Sequence, residues 1–276
     1  MGSKKALVGL LTPPMLWLVV AYLGALVAIF ATAFFTTDPF TNEVVPTFTT
    51  ENFKALLNPT YLRIIGRTLF IAVMVTVLCI ILAVPFAYFM ARVAPWQLRR
   101  LLVAAVLVPL WASYLVKAYA WRGIFADGGL IDWLGKPFGI TSPGYGLLAT
   151  GVTLAYLWLP YMVLPVFAGL ERVPDSLVDA SSDLGAGSLT TLRRVVLPMA
   201  FPALVAGSIF TFSLSLGDYI AVTIVGGPTQ LLGNVIYQNV GAANNLPFAA
   251  ALSTIPVVVM FLYLAAARRT GALDSL

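Results

Sequence analysis

One carboxylate and several aromatic rings lie in apolar stretches where they could contact a cation. Asp218 falls within the apolar run 199–225, where a charge costs about 2.5–3.5 kcal/mol on insertion scales and usually faces a partner or a water-filled path. Tyr219 is its neighbour, and ring faces near Pro109 and Pro160 could attract a passing cation. The candidate substrate-path residues are therefore Asp218, Tyr219, Trp111, Tyr114, Trp158 and Tyr161.

Structural roles remain open for each of these residues. Asp218 could form a salt bridge with Lys117 or with another chain, or it could cap a broken helix after Gly217. The aromatic rings could simply pack against neighbouring spans. Lys117 could extend towards the outer surface, or it could favour an anionic substrate.

The sequence lacks the usual patterns of catalytic and nucleotide-binding sites. It has no His and a single Cys, Cys79, which lies in an apolar run. It contains no G-x-x-x-x-G-K-[ST], H-E-x-x-H, C-x-x-C or G-x-S-x-G motif. We therefore predict that this chain is not an enzyme and binds no metal or cofactor.

Composition indicates an all-α integral membrane protein. Hydrophobic residues make up 60% and charged residues 10% of the chain, against about 45–50% and 25% in soluble domains. We predict one transmembrane domain over residues 1–276 and a short surface helix near 51–57. Six spans are expected at about 10–35, 64–91, 101–121, 145–170, 199–225 and 246–267.

A polar stretch, residues 171–198, separates the fourth and fifth predicted spans, and we call it the inter-span segment. Its pattern predicts two short helices joined by a sharp turn. Asp175 can cap the first helix, Gly185 and Gly187 can end it, and Ser188 can cap the second. A polar helical hairpin of this kind has to dock onto something other than the bilayer.

Seven residues of the inter-span segment carry a family resemblance. Asp179-Ala180-Ser181, then Gly185, Val195 and Leu197-Pro198 resemble the pattern Glu-Ala-Ala-x3-Gly-x9-Ile-x-Leu-Pro of the cytoplasmic coupling loop of ABC importer permeases. The departures are Asp for Glu, Ser for the second Ala and Val for Ile. In that family the loop sits in a cleft of an ATPase subunit and transmits its motion. The alternative is an ordinary amphipathic loop.

Further stretches, such as P-F-A-Y-F-M-A-R at 85–92 and S-L-G-D-Y-I at 215–220, resemble permeases of spermidine/putrescine-type importers. The resemblance implies a type I ABC importer permease fold with a cytoplasmic coupling helix. It also implies a second permease subunit, an extracytoplasmic binding protein and two ATPase subunits that bind ATP and Mg. The expected function is polyamine import by alternating access. Importers of phosphonate, thiamine, metals or sugars remain open, and a channel or ion-coupled carrier is the alternative from another class.

The basic residues predict orientation in the cytoplasmic (inner) membrane. Cytoplasmic segments attract Lys and Arg, and under a six-span arrangement one side holds ten of the 16 basic residues. These ten are Lys4, Lys5, Arg92, Arg99, Arg100, Arg172, Arg193, Arg194, Arg268 and Arg269. We therefore expect both termini and the inter-span segment to be cytoplasmic. The net charge of +5 then reflects topology, and we expect membrane lipid but no nucleic acid among the partners.

Overall fold

The computed structural model describes residues 2–38 and 40–270, with side chains from residue 9 onward. Within them, five helices are long and apolar enough to cross a membrane. These are Gly9–Thr32, Pro59–Val93, Leu147–Glu171, Ser188–Leu216 and Leu246–Arg269. The pair Trp96–Trp111 and Tyr114–Phe138, bent by 96°, makes a sixth span if it is counted as one. The predicted all-helical membrane architecture is confirmed. The side chains of Lys4 and Lys5 and the tail 271–276 lie outside the described residues.

Helices form most of the described chain, and π-helical turns at Val19–Leu23, Phe89–Val93 and Leu192–Val196 extend or connect them. The first seven helices are α1 Gly2–Leu18, α2 Gly24–Thr32, α3 Glu51–Leu56, α4 Pro59–Tyr88, α5 Trp96–Trp111, α6 Tyr114–Phe125 and α7 Leu130–Gly135. The others are α8 Leu147–Glu171, α9 Asp175–Asp183, α10 Ser188–Thr191, α11 Leu197–Leu216, α12 Ile220–Val225, α13 Leu232–Val240 and α14 Leu246–Arg269. Two short strands, β1 Thr36–Thr37 and β2 Val44–Val45, pair antiparallel.

The chain divides into two compact units, and the first holds the described residues up to Leu62 together with Val235–Val257. Here the predicted short surface helix is confirmed as α3. The side-chain amide of Asn52 in α3 donates hydrogen bonds to the carbonyls of Ala33 and Phe35, each at 2.9 Å. These carbonyls follow the end of α2, where backbone acceptors lack helical partners. One side chain therefore orders the connection that follows the first span.

The second unit holds Arg63–Asn234 and the described residues from Val258 onward. Its core lies mainly among α4, α8 and α11 and includes Ile71, Val75, Leu154, Leu157, Met162 and Val166. Helices α8 and α11 approach closely, since a Cβ added to Gly169 would lie 2.4 Å from the Cβ of Ala203. Small residues allow such close backbone contact between helices in membranes.

Two predicted spans are interrupted. The third, expected at about 101–121, ends as α5 at Trp111 and resumes as α6 after extended backbone at Ala112 and Ser113, so this predicted span consists of two helices. The fifth, expected over 199–225, ends at Leu216 and continues after a short break as α12. Pro109 gives a physical reason for the first break. It lies in the last turn of α5 and has no N–H to donate to a helical hydrogen bond.

Candidate functional site

The inter-span segment folds as the predicted pair of short helices, α9 and α10. The hydroxyls of Ser181 and Thr191 form a hydrogen bond of 2.9 Å that connects the two helices. After α9 the backbone N–H groups of Gly185 and Ala186 donate to the carbonyls of Ser182 and Ser181, at 2.9 and 3.1 Å. These bonds satisfy acceptors that the helix end would otherwise leave open.

Gly185 is the residue on which this turn depends. Its φ of +79° lies in the left-handed region, which other residues adopt at a cost of roughly 1–2 kcal/mol. A Cβ at Gly185 would contact nothing within 4 Å. The requirement for glycine therefore comes from the backbone conformation and not from crowding within this chain.

The segment exposes a small and partly apolar surface. Asp179 and Ala180 are exposed, and the side chain of Leu184, immediately before the turn, is 88% exposed. Ser181 is half-buried because its hydroxyl is engaged by the second helix. Leu177 and Leu189 of the same segment are exposed as well, and several apolar side chains exposed in one short segment are more informative than a single exposed leucine.

The remaining predicted residues of the segment lie at the entrance to α11. Val195 is in the π-helical turn Leu192–Val196, and Leu197 and Pro198 begin α11. Pro198 has no N–H to donate to the carbonyl of Arg194, four residues earlier. The missing hydrogen bond therefore coincides with the π-helical turn Leu192–Val196. The structure therefore separates the seven motif residues into an exposed hairpin and a helix entrance.

Two arginines that sequence analysis assigned only to topology tie this segment to the α4–α5 connection. The Arg92 guanidinium donates to the carboxylate of Asp175 and to the carbonyls of Leu170, at 2.8 Å, and Val173. Its side chain is only 15% exposed. These partners lie 78–83 residues away along the chain, so no local pattern could reveal them.

Arg99 reinforces the same connection. Its guanidinium donates to the carbonyls of Met90 and Ala91, at 3.1 and 2.9 Å, and to the carboxylate of Glu171 at 3.2 Å. Met90 and Ala91 belong to the π-helical end of α4, and Glu171 ends α8. The ends of α4 and α8 are thereby held by one cation.

The second candidate site is centred on Asp218, which is 9% exposed. Its carboxylate accepts hydrogen bonds from the hydroxyl of Tyr114 and, at 2.9 Å, from the backbone N–H of Ala221. The latter contact caps the start of α12, which was one of the predicted structural roles. Asp218 therefore joins the two helix breaks, since Tyr114 begins α6 and Ala221 lies at the start of α12.

A cavity of about 270 Å³ brings four of the six predicted path residues together. Asp218, Tyr219, Tyr114 and Trp158 line it, and the rings of the last two are 5.8 Å apart. Tyr161 contacts Trp158 edge-on at 5.9 Å but is not part of the lining.

Trp111 is also absent from the lining. It is 87% exposed, so this chain alone does not place it in the path. Position next to a proline was therefore an insufficient signal for lining a cavity.

Lys117 has a backbone partner instead of an acidic one. Its ammonium donates to the carbonyl of Pro109 at 3.0 Å. In an unbroken helix that carbonyl would accept from the N–H of Ser113. Neither Lys117 nor Asp218 takes part in an ion pair among the described side chains, so the structure contradicts the alternative in which the two pair with each other.

Metal coordination finds no support in the part of the chain that the structure describes. There, no group of three or more Cys, Asp or Glu side chains is arranged to hold a metal ion. The available chemistry is that of one carboxylate, several hydroxyls and aromatic ring faces. This set can contact a solute.

Residues 83–270 match the family described as binding-protein-dependent transport system inner membrane component. The chain is 44% identical to the inner membrane ABC transporter permease protein YdcU of Escherichia coli K12, over 97% of this chain and 90% of that protein. It is 31% identical to the spermidine/putrescine transport system permease protein PotB of the same organism, over 90% and 91% of the two chains.

A solved structure also resembles this fold. A chain of a bacterial ABC transporter involved in the import of the acidic polysaccharide alginate aligns with a TM-score of 0.74 and 13% identity, over 97% of this chain and 96% of that chain. At that identity the likeness concerns the fold alone. The predicted type I permease architecture is confirmed.

Proposed function

The chain belongs to the family of binding-protein-dependent transport system inner membrane components and is an ABC importer permease, and we propose that it imports polyamines. Two observations support this substrate class. A relative 31% identical over most of both chains is named a spermidine/putrescine permease. The cavity at Asp218 combines one carboxylate with the rings of Tyr114, Trp158 and Tyr219. Ring faces and a carboxylate are the groups that attract ammonium ions.

The inter-span segment is proposed to dock on a partner ATPase. The exposed hairpin carries this proposal, because Ala180 and Leu184 are open to solvent beside the left-handed turn at Gly185. Small residues allow close approach of another chain, and an exposed leucine can fill a pocket on it. ATP and Mg would then be bound by two ATPase subunits and not by this chain.

Movement of the segment would reach the spans through two connections. Arg92 holds the start of α9 against the α4–α5 connection, and the π-helical turn before Leu197 leads directly into α11. When the ATPases close on ATP, the segment would move with them and shift the ends of α4, α8 and α11 together. A second permease subunit would complete the path, and an extracytoplasmic binding protein would deliver the solute.

Co-purification tests the partner assignment. The tagged chain, extracted in mild detergent, should retain an ATPase with a P-loop and a solute-binding protein. Gly185→Leu should abolish ATPase retention, because leucine strains the left-handed turn and adds bulk to the docking surface. Normal retention and normal transport by Gly185→Leu would show that the segment does not dock there.

Uptake measurements test the substrate assignment. The complex reconstituted in proteoliposomes with ATP inside should import radiolabelled spermidine or putrescine in the presence of its binding protein. Unlabelled polyamine should compete, whereas a neutral sugar of similar size should not. ATP-dependent uptake of the sugar, without any of the polyamine, would refute polyamine import and leave the permease assignment intact.

One observation favours a second candidate, an importer of a solute that carries an acceptor group. The indole N–H of Trp158 is buried and has no hydrogen-bond partner among the described residues. A polyamine offers only donors to it, whereas a phosphonate or a sugar offers oxygen acceptors. Under this candidate, Trp158→Phe should weaken uptake of the oxygen-bearing solute. Unlabelled polyamine should not compete with that uptake.

A further inference from the structure

A long apolar groove lies between α4 and α11, away from the cavity at Asp218. Its volume is about 740 Å³, and its lining is apolar throughout except for Arg193. Ile81 and Phe201 line it and remain exposed in this chain. Since both helices are long enough to cross a membrane, the groove faces either lipid or another apolar surface that covers it.

The groove continues into a second apolar cavity of about 530 Å³. The two share Ile80, Phe201 and Leu204 in their linings, and the second reaches Ser208. We call the continuous depression the α4/α11 trough. Along α11 the trough extends from Arg193 to Phe212, about 28 Å of helix. Its first groove, from Arg193 to Leu204, covers about 16 Å. This matches half of the roughly 30 Å hydrocarbon core, the depth of one leaflet.

Arg193 is the charged group at the end of this trough. It is exposed, it belongs to the turn that precedes α11, and it takes part in none of the ion pairs formed by the described side chains. A guanidinium forms paired hydrogen bonds with phosphate oxygens. Basic pockets between membrane helices, at the level of the headgroups, are typical sites for anionic lipids.

We propose that the α4/α11 trough binds an anionic phospholipid of the leaflet on the side of the inter-span segment. Its phosphate would bind Arg193, and an acyl chain would lie along Ile81, Phe201 and Leu204. The charge at one end, the apolar lining and the one-leaflet length of the first groove, which holds all of these residues, together fit this ligand. The proposal rests on the membrane location of the family and not on ATPase docking or on the substrate.

Lipid retention by the intact complex tests the proposal. The complex is purified from nanodiscs containing equal amounts of phosphatidylglycerol and phosphatidylcholine, and bound lipids are counted by native mass spectrometry. Wild-type protein should retain phosphatidylglycerol preferentially. Arg193→Gln should lower that retention roughly tenfold, because the charged hydrogen bonds between the guanidinium and the phosphate are lost. Arg194→Gln is the matched control. It removes the same charge at the adjacent residue, and Arg194 does not line the trough.

A second variant tests the apolar part independently. Ile81 is 61% exposed, so Ile81→Trp should fill the trough without disturbing the buried core and should also expel phosphatidylglycerol. Unchanged retention in Arg193→Gln and Ile81→Trp would overturn the proposal. So would equal losses in Arg193→Gln and Arg194→Gln, or cross-linking of Ile81→Cys to a second permease in place of lipid.

The same spectra separate this proposal from the proposed function. They report whether the ATPase subunits are bound to each variant. Retained lipid without any bound ATPase in the wild-type complex would remove the docking proposal alone. Bound ATPase with no preference for phosphatidylglycerol would remove the lipid site alone.

Discussion

At the level of single residues, Asp218 caps a helix in the structure and is proposed to contact the substrate. Its carboxylate already accepts hydrogen bonds from Tyr114 and from the N–H of Ala221, and only 9% of the residue is exposed. A substrate ammonium could therefore reach it only by replacing or sharing the Tyr114 hydroxyl. Sequence analysis listed capping and substrate contact as alternatives. The two are compatible, because the cap at Ala221 uses one carboxylate oxygen and the Tyr114 hydroxyl, which a substrate could replace, binds the other.

Asp218→Asn separates charge from shape at this site. Asparagine can still accept from the Ala221 N–H as a helix cap, so the complex should assemble and hydrolyse ATP at its basal rate. Polyamine uptake should fall at least about tenfold, because the opposite charge that attracts the ammonium is gone. The readouts are radiolabelled uptake and ATP hydrolysis on the same proteoliposomes.

Tyr114→Phe is the companion variant. It removes the hydroxyl bound to Asp218 while keeping the charge and the ring. Uptake should persist, with an equal or lower KM for polyamine. If Asp218→Asn transports normally, or fails to assemble, the carboxylate has no role in the substrate path.

Gly185→Ala isolates the backbone requirement of the turn. The added methyl group meets nothing within 4 Å, but φ is +79°, so we expect a local cost of roughly 1–2 kcal/mol. ATPase retention in detergent should weaken measurably. Gly187→Ala is the control, because Gly187 also has open space around it but has an ordinary φ of −71°. Equal retention by both variants would mean that the left-handed turn does not matter for docking.

At the level of elements, the sequence predicted what depends on local pattern and missed what depends on distant partners. Apolar length predicted the spans, and the turn chemistry around Gly185 predicted the α9–α10 hairpin. Pro109 marked the region of the break in the third span, but the exact position of the break, at Ala112 and Ser113, did not follow from the sequence. The contacts of Arg92 were missed because its partners lie some 80 residues away.

Lys117 should stabilise the broken third span. Its ammonium binds the partly buried Pro109 carbonyl that the break leaves without a helical donor, so loss of this hydrogen bond should lower stability. Lys117→Met should therefore lower the thermal unfolding temperature of the purified complex while polyamine uptake per folded complex stays unchanged. Lys54→Met is the control, because the Lys54–Glu51 pair is a surface pair worth little. A stable Lys117→Met complex with altered solute preference would instead support a substrate role for Lys117.

Arg92 should connect ATP hydrolysis to transport. Arg92→Gln removes the contacts to Leu170 and Val173 that hold the start of the hairpin. We expect the ATPase to remain bound but uptake per ATP hydrolysed to fall severalfold. Asp175→Asn serves as the control, since Asp175 is 87% exposed and such surface pairs contribute at most about 1 kcal/mol. An unchanged ratio of uptake to hydrolysis in Arg92→Gln would contradict this connection.

For the whole molecule, the number of crossings decides on which side the inter-span segment lies. The pair Trp96–Trp111 and Tyr114–Phe138 is bent by 96°, so it either crosses as one broken span or enters and leaves on the same side. If it crosses, six spans put both termini and the inter-span segment on one side. If it does not, five spans put the termini on opposite sides and move the segment, with Arg193 and Arg194, to the outside.

Reporter fusions distinguish these two arrangements. The six-span arrangement places ten of the 16 basic residues inside, as the distribution of Lys and Arg in membrane proteins requires. An alkaline phosphatase that is active only outside should therefore be inactive when fused after Leu276 and active when inserted after Thr47, in the connection that follows the first span. A third fusion, after Gly139, should also be active, because it follows the broken pair. Activity after Leu276 combined with inactivity after Gly139 would mean that the pair is re-entrant. The inter-span segment would then face away from ATP, and docking on an ATPase would be impossible.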